Sequence, residues 1–443
     1  MCCKVEENII RSIDNDLYKW QNLPMNKGVH SVGLMSHGMA PFSLSAYMRR
    51  LYMDCSLSEF MQYIEEEDIK FIRLAFCDVH GNRKNISIMP HMLEEAINNG
   101  IPINASLIPG FGENVYTDLF LHPDISTTTL LPWRPENGKV IRMQCDITLQ
   151  DGTPFAVDTR RVLKDAVKAA EEKGIEFKFG SRIEFYLFKT DEDGNPTKTP
   201  CDNAGYMDIA PLDKCENVRR EICLTLERMG ILPINSHHEA GPGQNQINFA
   251  SNDAVKAADN VVSYISVVKI IAARYGLFAD FSPKPLDGAP GNGFHINVLA
   301  TSKTGEQVLP QAIAGILNHI HDTTVFFNNS ELSYRRFGEG SAPSTISWSG
   351  ENRGQLIRIP PVRPSGHHYA QLRSPDAFAN PYLAMAMMIY ACLDGIENNM
   401  NLPAAEESVD SLPGTLKEAK KLALKSEFVN KVFNKELIEA YCG

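Results

Sequence analysis

Gly180-Ser181-Arg182-Ile183-Glu184-Phe185 lies within a β-rich run from Phe177 to Phe188. Two further stretches belong with it, the run from His237 to Asn248 and the loop Gly291-Asn292-Gly293-Phe294-His295. Glu184, Glu239 and His295 are groups that can hold a cation or move a proton. Arg182 is neither, because a guanidinium is not deprotonated in a protein and has no lone pair to give a metal. The stretch therefore reads as a strand in which one position suits metal chemistry and its close neighbour opposes it.

The rest of the chain sets bounds on that reading. Its 443 residues suffice for more than one domain, and 43% hydrophobic with 22% charged residues is an ordinary globular balance. A net charge of -11 opposes nucleic acid or a membrane surface as partner, since either asks for a basic patch. The ten cysteines show no C-x-x-C pair, which predicts reduced thiols and a cytoplasmic location. Pro381 to Leu393 is apolar but falls short of the roughly 18 residues of a membrane span, so it reads as a core helix.

Three parts follow along the chain. Residues 1–55 read as an N-terminal extension with an amphipathic helix from Val5 to Trp20. After a cap at Ser56-Leu57-Ser58, strand Ile69 to Phe76 turns at Asp78-Val79-His80-Gly81-Asn82 and returns as Lys84 to Met89. From residue 151 onward, helices such as Arg161 to Lys173 mix with β-rich runs, an α+β pattern.

Further motifs recur in a fixed order: Tyr116 to Asp124, Pro132-Trp133, Cys145-Asp146, Asp158-Thr159-Arg160, Pro283-Lys284-Pro285, Asn352-Arg353, Ile357-Arg358-Ile359-Pro360 and Arg373-Ser374-Pro375-Asp376. With the three stretches above they resemble type I glutamine synthetase from residue 56 to the C-terminus. The resemblance implies a small β-grasp domain over 56–150. It implies a glutamine synthetase catalytic-type domain over 151–443, built on a curved antiparallel sheet.

In that family two divalent ions serve a reaction that joins glutamate and ammonia through a γ-glutamyl phosphate. One ion's ligands correspond here to Glu184, Glu239 and Gln246, the other's to Arg182, Gln371 and His295. Arg182, Gln246 and Gln371 each replace a carboxylate and remove a negative charge. The set reads as rebuilt to stand without metal, Arg182 neutralising Glu184 and Glu239. His295 then reads as a hydrogen-bonded pocket residue, and His237 and His238 as packing or surface residues.

Other positions depart from the pattern too. The aspartate that binds ammonium falls at Asn104, beside Asp118, both to be contributed by a neighbouring protomer. The flap Gly338-Glu339-Gly340-Ser341-Ala342-Pro343 is one residue short and carries Ser341 where the family has glutamate. Nucleotide-side positions become Asn297, Leu299, Gly366 and Tyr369, and no Walker-type loop replaces them. Gly291, Arg336, Arg353, Arg358 and Arg373 are retained where the family holds substrate carboxylate and phosphates. They read either as an anion site or as inherited structural salt bridges.

The expectation from these departures is a reduced family member that uses neither metal nor ATP, where the family uses Mg or Mn and ATP. It would bind a small anionic metabolite such as an amino acid as a sensor or regulatory subunit. Two alternatives stand beside it: an altered enzyme with a single metal or none, and an active ATP-dependent carboxylate–amine ligase. The resemblance also implies a homo-oligomer, a hexameric ring or a dodecamer.

Overall fold

The computed structural model describes residues 57–443 except 113–117, 135–136, 362–367 and 409. The extension expected at 1–55 and its helix lie outside the described residues.

Helix α1 (Leu57–Glu66) buries Phe60 and Ile64, one turn apart on one face. Strands β1 (Ile69–Cys77) and β2 (Arg83–Ile88) form the expected antiparallel hairpin. Its turn is closed by Asp78, whose carboxylate accepts the N–H groups of His80 and Asn82. Helix α2 (Leu93–Asn98) leads to β3 (Ile101–Asn104), β4 (Asp118–Leu130) and β5 (Lys139–Thr148). The five strands order as β2-β1-β5-β4-β3, with β1 and β5 parallel. This is the expected β-grasp sheet.

Helix α3 (Thr159–Glu172) opens the larger domain. Asp158 caps it through the N–H of Arg160 and also takes the N–H of Ile147, which ties the helix start to β5. The sixteen-residue β6 (Ile175–Thr190) is central to the second sheet. It is followed by β7 (Pro196–Pro200), α4 (Glu216–Arg228), β8 (Pro233–His238), β9 (Gln244–Asp253), α5 (Ala254–Arg274), β10 (Leu277–Asp280) and β11 (Phe294–Ser302). Next come α6 (Leu309–Thr323), α7 (Glu331–Arg336), β12 (Thr345–Ile346), β13 (Trp348–Ser349), β14 (Ile357–Arg358), β15 (Ala370–Leu372), α8 (Pro381–Glu397) and β16 (Asp410–Ser411). Three short helices close the chain.

The large sheet orders as β13-β14-β15-β11-β6-β9-β8, mostly antiparallel and curled into a half-barrel, with β7 and β10 also on β6. Because side chains alternate along a strand, Ile183 and Phe185 of β6 point into the core with no exposure, and Arg182 and Glu184 point to the opposite face. That core includes Tyr264 of α5, whose hydroxyl donates to the carbonyl of Ile183. Helix α8 is buried nearly throughout, as a helix apolar on every side must be. It packs against α6 where Gly315 meets Gly395, and a Cβ on either glycine would run into the other helix's backbone.

Arg160 joins the two sheets. Its guanidinium donates to Asp146 on β5 and Asp124 on β4, each at 3.0 Å, and to Asp259 on α5 at 3.2 Å. Tyr382 of α8 donates to the same Asp259 at 2.7 Å. The Asp158-Thr159-Arg160 and Cys145-Asp146 motifs thus meet as a domain clasp. Among the described residues no helix is long and apolar enough to cross a membrane.

Candidate active site

Glu184 on β6 faces Gln246 on β9 in register, and its Oε2 accepts the backbone N–H of Gly293 at 2.7 Å. Burial and the neighbouring Glu239 push its carboxyl up to about 7, against the pull of that N–H and of Arg336 and Arg373. Gly293 has no room for a side chain. A Cβ there would lie 2.7 Å from His295 Nε2 and 3.5 Å from Glu184 Oε2, so the two groups close over the glycine from either side.

Glu239 follows β8 and is held by both histidines before it. His237 Nε2 lies 2.9 Å from its Oε1. His238 is buried, with Nδ1 2.6 Å from the Glu239 carbonyl oxygen and Nε2 2.9 Å from Asp202 Oδ1. Both ring nitrogens therefore face oxygen acceptors, the arrangement of an imidazolium. Burial opposes that charge, but the Asp202 carboxylate wins and the His238 pKa is raised. Asp202 also accepts the N–H groups of Gly243 and Lys214. Through these contacts both histidines orient the loop that presents Glu239. Beside this loop Cys201 and Cys215 lie next to each other. Cys77, Cys145, Cys223, Cys392 and Cys442 are free.

The expected neutralisation by Arg182 does not occur. Arg182 shares a strand face with Glu184, yet neither Glu184 nor Glu239 forms an ion pair with it among the described residues, and Glu239 is paired with His237 instead. The reason lies across the sheet. Arg182 stands opposite His295 on β11 and near Arg353, Arg358 and Arg373; burial first, then the neighbouring guanidinium charges including that of Arg182, depress the pKa values of Arg358 and Arg373. His295 is held well below its usual range by burial first and then by Arg373, Arg336, Arg182 and Arg353, so the imidazole is neutral.

Gln371 on β15 is committed at both ends of its amide. Its Oε1 accepts from Arg373 Nη1 at 3.0 Å, and its Nε2 donates to Asn297 Oδ1 at 2.9 Å. The ion pairs made by described arginines are those of Arg160, Arg161 and Arg219. Among the described residues Arg336, Arg353, Arg358 and Arg373 therefore have no carboxylate partner, which opposes the salt-bridge reading of them. Arg336 is buried against Gly291, donates to the carbonyls of Ser374 and Pro375, and keeps its Nε without a partner, as do Arg358 and Arg373.

A cavity of about 540 Å³ brings Glu184, Glu239, Gly291, His295 and Arg336 together with the flap residues Glu339 to Ala342. Lys284 closes one side by pairing with Glu339 and donating to the carbonyl of Ala289. Arg373 Nη2 reaches the Ser341 hydroxyl at 3.4 Å. Asn104 and Asp118 are outside this group. They face each other across β3 and β4 at an exposed rim, with the Asn104 amide oxygen taken by the N–H and hydroxyl of Ser106.

The donors sort into two unequal sets. Among the described residues no Lys or Arg forms an ion pair with Glu184 or Glu239, which suits one divalent ion with the amide oxygen of Gln246 as a further donor. The second set, Arg182, neutral His295 and doubly bonded Gln371, does not fit a metal ion. Glu184, Glu239 and His295 do not form a preassembled triad either. Among the described residues the one such group with ligand atoms within 4.8 Å of one another is Cys201, Asp202 and Cys215. Sequence reading quoted Gly293 and Lys284 within motifs without giving either a role, and did not single out Asp202. Lys284 was visible in its Pro-Lys-Pro motif, whereas nothing in the spacing links Asp202 to His238.

Comparison with known proteins places these observations. Residues 68–150 match the glutamine synthetase β-grasp domain and residues 156–443 its catalytic domain. Glutamine synthetase of Methanosarcina mazei is 41% identical over 409 residues, covering 86% of this chain and 91% of that protein. Glutamine synthetase of Clostridium saccharobutylicum is 39% identical over 410 residues, covering 86% and 92%. A solved structure described as a GmaS/ADP complex aligns with a TM-score of 0.78 at 26% identity, over 86% of this chain and 93% of that one. The expectation that no cofactor is used is overturned by these relatives, because glutamine synthetases depend on Mg or Mn and on ATP. With both domain types matched in order and relatives near 40% identity, the chain belongs to the glutamine synthetase family.

Proposed function

We propose that this chain is an ATP-dependent carboxylate–amine ligase acting on a small anionic substrate of the amino-acid type. The observation that carries the reading is the Glu184–Glu239 pair, which repels itself on the wall of the cavity and calls for a cation. A divalent ion bound there supplies charge neutralisation for the phosphates and the transferring group. Glu184, Glu239 and Gln246 would hold it.

The chain's own groups have distinct tasks in this reading. Arg336, Arg353, Arg358 and Arg373 grip carboxylate and phosphate oxygens, which a planar guanidinium fork suits. Gly291 lets the substrate approach backbone that Tyr186 fixes through the Pro290 carbonyl at 2.6 Å. His295, neutral, donates or accepts one hydrogen bond without adding charge. Glu339 stands at the cavity edge as the flap's carboxylate, released when Lys284 lets go. Asn104 and Asp118 complete a neighbouring protomer's site in a cytoplasmic homo-oligomeric ring. Asn104 cannot deprotonate ammonium, which supports an amine that arrives neutral over ammonium itself.

The test is ADP release from Mg-ATP with glutamate and a panel of amines, ammonia included. Turnover that requires both glutamate and an amine is expected. Absence of turnover with every pair, together with no affinity for ATP, overturns the reading. A second reading, a sensor that binds an anionic metabolite without turnover, is favoured by Gln371 being held between Arg373 and Asn297. It would show as a ligand-dependent rise in melting temperature without ADP release.

A further inference from the structure

Arg182 is an arginine on the active-site face that the ligase reading leaves without a task. It lies two residues from Glu184 on one face of β6 and opposite His295 on β11. Two strands further on, Arg358 of β14 stands opposite Gln371 of β15, and Gln371 in turn faces Asn297 of β11. Strand pairing thus gathers Arg182, Arg358 and Arg373 around a glutamine whose two amide ends are already used. No described carboxylate pairs with any of them, and the Nε atoms of Arg358 and Arg373 lack partners. Like charges held together in a partly buried place are stable only if an anion joins them.

We propose that Arg182 is a built-in cation that binds phosphate oxygens in place of a second metal ion, so that each site works with one divalent ion and one guanidinium. The argument is steric and electrostatic together. A metal at the second position would have to displace the Arg373–Gln371–Asn297 hydrogen bonds, accept a single neutral imidazole, and sit beside a fixed positive charge. A polyphosphate has none of these obstacles. Its oxygens can take the fork of Arg182 bidentately and relieve the repulsion among Arg182, Arg353, Arg358 and Arg373. The remaining ion stays at Glu184 and Glu239, on the side of the cavity where the negative charge is. The inference deepens the ligase reading for the identity of the polyphosphate, but the metal count does not depend on turnover.

The experiment is a count of bound Mn²⁺ by electron paramagnetic resonance on the full chain, with and without pyrophosphate, beside pyrophosphate titration by calorimetry. One Mn²⁺ per chain is expected at saturation, and two overturn the proposal. Arg182→Gln should leave the count at one and weaken pyrophosphate roughly tenfold or more, as loss of a charged hydrogen bond does. Pyrophosphate binding unchanged in Arg182→Gln overturns it. Arg161→Gln, an exposed arginine paired only with Asp165, serves as the control and should change neither value. In the double variant Arg182→Glu with Gln371→Glu the count should rise to two. If that variant does not fold, wild type and Arg182→Gln decide alone. A failed ADP-release assay sinks the ligase reading while a count of one with the Arg182→Gln loss leaves this inference standing.

Discussion

Glu184 Oε2 accepts the backbone N–H of Gly293 at 2.7 Å, and the same glycine carries the chain directly beneath His295 Nε2. One backbone atom thus fixes the carboxylate, and the absence of one side chain admits the imidazole. In Gly293→Ala the new methyl would press on the ring, which must rotate or shift. We expect the His295 imidazole NMR signals to shift, with circular dichroism unchanged and a modest loss in melting temperature. Imidazole signals equal to those of wild type would show that His295 is not confined by this glycine.

The Glu184 carboxyl is raised from 4.5 to about 7, chiefly by burial and then by Glu239. The folded chain therefore holds this proton more tightly than the unfolded chain. Its contribution to stability is present below about 4.5 and is lost as pH climbs to about 7. In metal-free buffer, Glu184→Gln should be more thermostable than wild type at pH 8, by a few degrees on the usual scale, and the gap should close toward pH 4.5. Added Mn²⁺ should reverse the order at pH 8 by stabilising wild type alone. Melting curves at four pH values, with and without Mn²⁺, check both parts.

Asp202 and His238 form a fully buried pair behind the Glu239 loop. Although burial opposes both charges, their hydrogen bond raises the histidine pKa and, with the N–H groups of Lys214 and Gly243, lowers the aspartate. The histidine's share of stability is present below its ordinary 6.5 and lost above the folded value; the aspartate's is present above 3.8 and lost as pH falls. His238→Ala leaves Asp202 buried without its cation and should cost roughly 3–5 kcal/mol near pH 6. A urea midpoint shift of under a fifth of the wild-type value at that pH would show the pair to be dispensable.

Arg160 serves three carboxylates on three elements; its loss leaves Asp146 and Asp124 with Lys164, but strips the buried Asp259 of its guanidinium and leaves it the Tyr382 hydroxyl. Arg160→Ala should lower stability by about 3–5 kcal/mol. Arg160→Lys should recover little of it, because one ammonium cannot match a fork that reaches Asp124, Asp146 and Asp259 in different directions. Limited proteolysis should then cut first between β5 and α3, where the clasp held the two sheets together. Equal resistance in wild type and Arg160→Lys would refute this account.

Much of the fold was legible because its determinants are local. The hairpin at Asp78 to Asn82 follows from an aspartate that closes its own turn, and α8 follows from an uninterrupted apolar run. The site residues were legible as identities: Glu184, Glu239, Gly291, His295 and Arg336 do gather on one cavity. Their charge state was not. A count of carboxylates and arginines suggested that Arg182 cancels Glu184 and Glu239, and it does not: Arg182 leaves the same face as Glu184 but stands opposite His295, while Glu239 lies against His237.

The sequence by itself determined the family, the two domain types and the list of groups at the site, since these rest on residue kinds in a fixed order. Tertiary structure alone decided how those groups divide. It set a self-repelling carboxylate pair on the cavity wall and gathered Arg182, Arg358 and Arg373 elsewhere on the sheet, with Gln371 held between Arg373 and Asn297. It also brought Asp202 to His238 across 36 residues of chain. The physical reason is that Coulomb energy and hydrogen bonding depend on distance and direction in space. Strand register and loop packing fix both, and neither is written in the spacing of residues along the chain.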